Sequence, residues 1–152
     1  MTNEIQEIDR LLAESRVIAV VGMSPKADRA SHYVAAYLQQ HGYRVIPVNP
    51  VAAGTRILGE HVYPTLMMAA AALAEQHILI DIVDVFRKPE EVVPIADEAA
   101  AIHAKALWLQ LGVVNEVAAA NARAAGLSVV VDRCIKIEHA RWRDALRRRS
   151  QV

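Results

Sequence analysis

The sequence has one cysteine, one phenylalanine and only six glycines in 152 residues, and no surplus of either charge. A single cysteine excludes an internal disulfide framework and a cysteine-rich metal centre. Seventeen Lys and Arg balance seventeen Asp and Glu, so the broad basic field that draws a protein to nucleic acid or an anionic membrane is missing. No apolar run is long enough to cross a bilayer: the alanine-rich stretch up to Ala74 is broken by Pro64 and Glu75, and Gln76 to Ile80 is too short. The first residues, MTNEIQEIDRLLAESR, are polar and acidic, unlike a secretory signal. A cytoplasmic protein is the expectation. No linker or repeat divides the chain, and its length fits one domain over residues 1–152.

What is present is a globular composition, 54% apolar and 22% charged. Alanine clusters at Ala69–Ala74, Ala96–Ala106 and Ala118–Ala125 read as helix. Between them lie short apolar runs: Val17–Val21, Arg44–Val48, Ile78–Val83, Ala106–Leu109 and Leu127–Val131. These are apolar at nearly every position, as suits strands covered on both faces of a parallel sheet. Ser31 is placed to cap a helix through Tyr33, Val34, Tyr37 and Leu38, with Gly42 after it; Pro64 and Pro89 sit at helix starts, and Gly126 ends another helix. A helix over residues 1–16 precedes the first strand, and a basic helix over 135–150 closes the chain. The pattern predicts an α/β fold: an open parallel sheet of about five strands with helices on both faces.

In such sheets ligands bind beyond the carboxyl ends of the strands. Gly22-Met23-Ser24-Pro25-Lys26-Ala27-Asp28-Arg29-Ala30-Ser31 joins the first strand to a helix and offers a glycine, two hydroxyls, two cations and a helix N-terminus, a combination suited to phosphate. It is neither GxGxxG nor a P-loop. The second strand ends in Pro47-Val48-Asn49-Pro50, without the carboxylate that holds the ribose of NAD. Asp84-Val85-Phe86-Arg87-Lys88-Pro89 follows the third strand and pairs an aromatic face with a guanidinium. Gln110 and Gly112 follow the fourth, where an amide and bare backbone face the same crevice.

Taken in order, Val20-Val21-Gly22-x-Ser24-Pro25-Lys26 with Arg29-x-Ser31, Gly42-Tyr43-x-Val45-x-Pro47-Val48-Asn49-Pro50, Gly59-Glu60-x-Val62-Tyr63-Pro64, Asp84-Val85-Phe86-Arg87, Trp108-x-Gln110-x-Gly112 and Asp132-Arg133-Cys134 resemble the small stand-alone CoA-binding proteins of bacteria and archaea. These are similar to the CoA-binding domain of the succinyl-CoA synthetase α subunit. The resemblance runs from about Val17 to Glu138 and implies a Rossmann-like sheet with coenzyme A across the strand ends. Carried over by motif, Gly22, Ser24, Pro25, Lys26, Arg29 and Ser31 would meet the phosphates. Asn49 and Pro50 would border the adenosine, with Val85, Phe86 and Arg87 on its other side, and Gln110 to Gly112 would lie toward the pantetheine arm. The synthetase also needs a phosphohistidine and a partner subunit, and no histidine here occupies a matching loop. The resemblance implies binding of CoA or an acyl-CoA without catalysis. The alternative is a nucleotide-dependent enzyme, either an NAD(P)-linked oxidoreductase or an acyl-CoA ligase component working with a separate subunit.

Other residues read as structural. Asp81 lies inside a strand and forms no metal site with Asp84; His77, His103 and His139 read as surface or helix-end residues. Asp28 is expected to pair with Lys26 and Arg29. Cys134 reads as a small buried thiol, the rival reading being a reactive one able to form a mixed disulfide with bound CoA. The five arginines of Arg141–Arg149 read as a solvated helix end rather than a nucleic-acid surface. Partners beyond the ligand are an unknown protein or a second copy of the chain.

Overall fold

In the computed structural model, which describes residues 3–151, helix and strand alternate along most of the chain. The order is α1 (Glu4–Glu14), β1 (Val17–Val21), α2 (Ala30–Gln40), β2 (Arg44–Val48), β3 (Arg56–Ile57), β4 (Glu60–His61), α3 (Leu66–Ala74), β5 (Ile82–Val85), α4 (Val92–Ala101), β6 (Ala106–Leu109), α5 (Glu116–Ala124), β7 (Ser128–Val130) and α6 (Ile135–Ser150). Five strands form one parallel sheet in the order β2-β1-β5-β6-β7, and β3 with β4 makes a short antiparallel pair beside it. This is a Rossmann-like α/β architecture. β1 is followed outward on one side by β2 and on the other by β5, so the chain reverses direction across the sheet at β1/β5. The carboxyl ends of those two strands are where a ligand crevice belongs.

The uninterrupted apolar runs of β1 and β6 follow from burial on both faces. Successive side chains alternate between faces. Val17, Ala19, Val21, Val83, Val85, Leu107 and Leu109 pack under α3, α4 and α5. Ile18, Val20, Ile82, Ala106 and Trp108 point the other way, to α1, α2 and α6. Trp108 is fully buried there, and its Nε1 donates to the Arg133 carbonyl at 2.8 Å, which meets the one polar demand an indole makes inside a core.

Two element boundaries differ from the sequence reading. The run Ile78–Val83 does not pair as written; the strand is Ile82–Val85. Asp81 decides this. It lies just before the strand, and its Oδ2 accepts the amides of Arg16 (2.8 Å) and Val17 (3.0 Å), tying the start of β1 to that of β5. Leu79 is 74% exposed, while Ile78 and Ile80 pack into the α3–α5 side of the core, so these residues are satisfied by packing rather than by pairing. Asp84 and Val85 thereby move from the loop into the strand. The second difference is Ser31. Arg29 is the N-cap of α2, without a side-chain cap bond, and Ser31 lies inside the helix. Its Oγ accepts the amide of Ser24 at 2.9 Å and holds the preceding loop against the helix.

Candidate functional site

The carboxyl edge of the sheet carries three adjoining hollows. One of about 260 Å³ lies between Gly22, Pro50, Leu66 and Arg87. A second of about 360 Å³ is lined by Gly22, Ser24, Lys26, Arg29, Ser31 and Phe86. The largest, about 650 Å³, runs from Phe86 and Arg87 past Gln110 and Gly112 to Tyr33 on α2 and Cys134 beside α6. Gly22 belongs to the first two, Phe86 to the second and third, and Arg87 to the first and third. The hollows therefore adjoin at the β1/β5 crossing, side by side along the strand ends.

Local chemistry explains the junction. Gly22 has φ +90°, and a Cβ there would stand 2.4 Å from the Phe86 carbonyl oxygen and 2.8 Å from Arg87 Cδ. Only glycine permits this approach of the two loops. Gly22 N donates to the Val48 carbonyl (2.8 Å) and Phe86 N to that of Val21 (2.9 Å), so the three strand ends are laced together. The loop between them is internally braced. Ser24 Oγ accepts from Lys26 N (3.1 Å), and the His32 ring Nδ1 lies 2.9 Å from the Ser24 carbonyl. Lys26 and Arg29 stand exposed on the wall of the 360 Å³ hollow and form no salt bridge among the described residues. The first amides of α2 have no acceptor within their helix. Cations beside orphan amides make an anion seat. Asp28 is exposed but, against expectation, pairs with neither cation among the described residues: the loop's turns are closed by Ser24 and Ser31, and nothing draws the carboxylate inward. Pro25 is exposed in the same loop and lines none of the three hollows.

Asn49 does not offer its amide to the crevice. Its Nδ2 donates to the Met23 carbonyl and its Oδ1 accepts from Val51 N, both at 2.9 Å, so it clamps the β2 turn to the β1 loop. Pro50 next to it does line the small hollow. Val85 is fully buried on the α3–α5 side and reaches none of the hollows, because it belongs to the strand. Phe86 and Arg87 line two hollows each. Arg87 is aimed by Glu91, whose Oε2 lies 2.8 Å from its Nε.

Gln110 is 3% exposed. Its Nε2 donates to Asp84 Oδ1. Its Oε1 has no hydrogen-bond partner among the described residues, and Gln110 is one of the residues that line the large hollow. Asp84 stands behind it, fully buried, with Oδ2 sealed and unpartnered. Burial pushes its carboxyl up to about 8, against the opposing effect of the Gln110 hydrogen bond. Asp84 is thus neutral at pH 7, since an unpaired ionised carboxylate in that place would be costly. Sequence reasoning missed this pair, because an aspartate next to apolar residues reads as a strand end. The pairing register, Asp84 opposite Trp108, is what brings it under Gln110.

Two further expectations change. Cys134 is half-buried at the wall of the large hollow, not sealed in the core, and Arg133 beside it is engaged with Glu4 and Glu138. His139 is a core residue: its Nδ1 lies 2.8 Å from the Tyr37 hydroxyl, and the rings of His41, Tyr43 and Trp142 surround it. Burial, then the neighbouring His41 and Arg143, lower its pKa to about 4. The basic tail, read alone, hid it. His77 and His103 are exposed left-handed residues that follow α3 and α4. Among the described residues no group of three His, Cys, Asp or Glu side chains is placed to hold a metal, and no helix is long and apolar enough to cross a membrane.

Residues 16–140 match the model of the CoA binding domain family, CoA_binding_2, and the chain belongs to that family. It is similar to YneT of Bacillus subtilis (strain 168), with 40% identity over 134 residues, 88% of this chain and 93% of YneT. Among solved structures it is similar to that of cell-free ID.343 from Thermus thermophilus, with 34% identity and a TM-score of 0.82 over 92% of this chain and 99% of that one. A hypothetical protein from Pyrococcus horikoshii OT3 gives the same identity and TM-score over 92% of each chain. More distant is RSP, a Rex-family repressor, at 16% identity and a TM-score of 0.58 over 92% of this chain and 62% of that one. RSP has been solved in complex with β-NADH; at this identity the likeness establishes the fold alone.

Proposed function

We propose that the protein binds CoA or an acyl-CoA without transforming it, the ligand lying across the strand ends. The observation that carries this reading is that three adjoining hollows along the strand ends share Gly22, Phe86 and Arg87 as lining residues. A ligand with an adenosine, a cluster of phosphates and a long amide-bearing arm needs such a row of hollows. The adenosine takes the small hollow by Pro50, the pyrophosphate lies over Gly22–Ser31 with Lys26 and Arg29, and the pantetheine arm enters the large hollow past Phe86 to Gln110 and Gly112. Membership of the CoA-binding family supports the same ligand.

The neutral carboxyl of Asp84 is walled off behind Gln110, and His139 is enclosed by aromatic rings, so neither is placed to serve as base at the path. NAD is the rival ligand, favoured by the fold shared with the NADH-bound repressor and disfavoured by Val48-Asn49-Pro50, where the ribose-binding carboxylate would stand. Calorimetry with CoA, dephospho-CoA, NAD and ATP decides between them. CoA should bind most tightly, and tighter binding of NAD overturns the reading.

A further inference from the structure

Tyr33, Leu111 and Ile137 are large apolar side chains that stand 47%, 61% and 59% exposed, and all three line the large hollow. They come from α2, from the loop after β6 and from α6, so the fold gathers them from separate parts of the chain. Val34, Phe86 and Val113 complete the apolar walls. Apolar side chains left open to water, collected in one hollow with a polar rim, mark a place where something else is bound.

The CoA reading above uses only part of this space. The arm enters past Phe86 toward Gln110 and Gly112, and no part of CoA then covers Tyr33, Leu111, Val113 or Ile137. The arm is a slender chain, whereas a hollow of about 650 Å³ is of the size that holds a whole small-molecule ligand. The arm ends in a sulfur, so the group that sulfur carries is what fills the remainder. Charge narrows the chemistry of that group. Among the described residues no carboxylate lines the hollow, and two of its three cations are engaged. Arg87 pairs with Glu91 at 2.8 Å, and Lys136 Nζ lies 5.5 and 5.4 Å from the ring centres of Tyr33 and Tyr37. The third, Lys88, stands out in solvent. The walls offer hydrocarbon contact and no seat for a charged acyl group.

We propose that the ligand is a CoA thioester of an aliphatic acid, and that the hollow between Tyr33 and Ile137 holds its acyl chain. The inference rests on the CoA reading and names the acyl group of that ligand. The chain displaces water from Leu111, Val113 and Ile137, and each methylene covered there adds affinity through the apolar area it removes from water. No bond is made or broken.

Calorimetry on the full-length protein with CoA and with acetyl-, butyryl-, hexanoyl- and octanoyl-CoA tests this. Affinity should rise about twofold or more per added methylene, at least about 50-fold from acetyl to octanoyl; full burial would give about fourfold per methylene, and the hollow is open on one side. Succinyl-CoA, as long as butyryl-CoA but ending in a carboxylate, should bind more weakly than butyryl-CoA. Ile137→Asn, on an exposed position of α6, should cut the octanoyl preference at least about fivefold and leave acetyl-CoA within about twofold. Leu79→Asn, at an apolar residue before β5 that lines none of the three hollows, should leave the whole series unchanged. Binding of CoA with a flat or falling acyl series overturns the acyl proposal and leaves the CoA reading standing. A rise equally steep in Ile137→Asn and the wild type overturns it too, since the chain then lies elsewhere. A flat series with a dimer that Ile137→Asn abolishes overturns it in favour of a second copy of the chain on the patch. Binding of neither CoA nor any of its thioesters defeats both readings.

Discussion

The two helical layers that cover the sheet solve the same packing problem with different chemistry. On one side α3, α4 and α5 meet the strands through Leu66, Ala69, Leu73, Ala96, Ala99 and Ala122, all small or aliphatic. On the other, α1, α2 and α6 also bury aliphatics, but the buried polar groups gather there. Ser31 lies in α2, Glu138 and His139 in α6, and Asp84 points to that side from between Val83 and Val85. Hydrogen bonds are directional and apolar contacts are not. The aliphatic layer therefore supplies stability that does not depend on orientation, while the polar layer fixes where side chains point. The largest hollow opens against the polar layer, between Tyr33 of α2 and Ile137 of α6. The site stands where the chain has invested in orientation.

The largest effect expected of any single change tests that separation. Leu73→Ala, in the aliphatic layer, should cost about 2–5 kcal/mol of stability, because the fully buried side chain leaves a cavity behind. Urea unfolding should show the same loss at pH 5 and pH 8, and calorimetry on the folded protein should show unchanged affinity for CoA. A loss that varies with pH, or a tenfold drop in affinity, would mean the layers are coupled.

Next in size is the pH dependence, which the comparison assigns wholly to the polar layer. His139 has its folded pKa lowered to about 4, from about 6.5 when unfolded. Its contribution is fully present above pH 6.5 and is lost as pH falls from there toward 4. Asp84 has its folded pKa raised to about 8 from 3.8. Its contribution is fully present below the unfolded pKa and is lost as pH rises toward 8. Each changes stability by about 1.4 kcal/mol per pH unit, in opposite directions. Between pH 4 and 6.5 the two cancel; above 6.5 Asp84 acts alone, and the wild type should lose about 2 kcal/mol by pH 8. Asp84→Asn should abolish that decline and reveal the fall below pH 6.5. His139→Gln should do the reverse, with stability declining across the whole span from 4 to 8. Urea midpoints at half-unit steps give the curves, and parallel curves for all three proteins would show that neither group titrates as its surroundings imply.

The same division explains how much was legible in the sequence. β1, β2 and β6 are readable because a strand buried on both faces needs apolar residues almost throughout. The alanine-rich helices are readable because nothing in them competes with helix. β5 was misplaced because its flanking aspartates have opposite fates: Asp81 marks the strand's beginning through the amides of Arg16 and Val17, while Asp84 is swallowed inside it. A sequence treats both as polar. Gly22, Lys26, Arg29, Phe86, Arg87 and Gln110 could be found as loop residues at strand ends, and they do gather around the adjoining hollows. The clamp made by Asn49 and the burial of His139 could not, because each depends on a partner many residues away. Only the pairing of strands and packing of helices supply those partners.

A smaller effect sharpens the comparison at the site itself. Arg29 and Arg87 stand at the path, on the loops after β1 and β5. Either replaced by Ala should weaken CoA about tenfold or more, through loss of a charge-assisted hydrogen bond to phosphate. Arg87→Ala also releases Glu91, whose carboxylate then faces the ligand unpaired, so Arg87→Ala should be the more damaging and Arg87→Ala with Glu91→Gln should recover part of the loss. Unfolding midpoints should move little, since both arginines are at least partly exposed. If the double variant binds no better than Arg87→Ala, Glu91 aims the arginine without setting the charge of the path.

The smallest effect belongs to the end of α6, and it decides whether the others mean what they claim. Arg147 and Arg148 lie in the last turn of α6, largely exposed, and pair loosely with Asp144 at 3.6 and 3.2 Å. Such pairs are screened by salt and hold their side chains weakly. Cations there are suited to the helix C-terminus without needing a ligand. Arg147→Ala should therefore leave both the unfolding midpoint and the CoA affinity within error of the wild type, at low and at physiological salt. The contrast with Arg29→Ala is the informative quantity. Both remove one positive charge from a chain of balanced charge, and only position differs. A loss of CoA affinity at Arg147 equal to that at Arg29, and vanishing as salt rises, would mean that the ligand responds to the general field of the protein. The path across the strand ends would then no longer be the site.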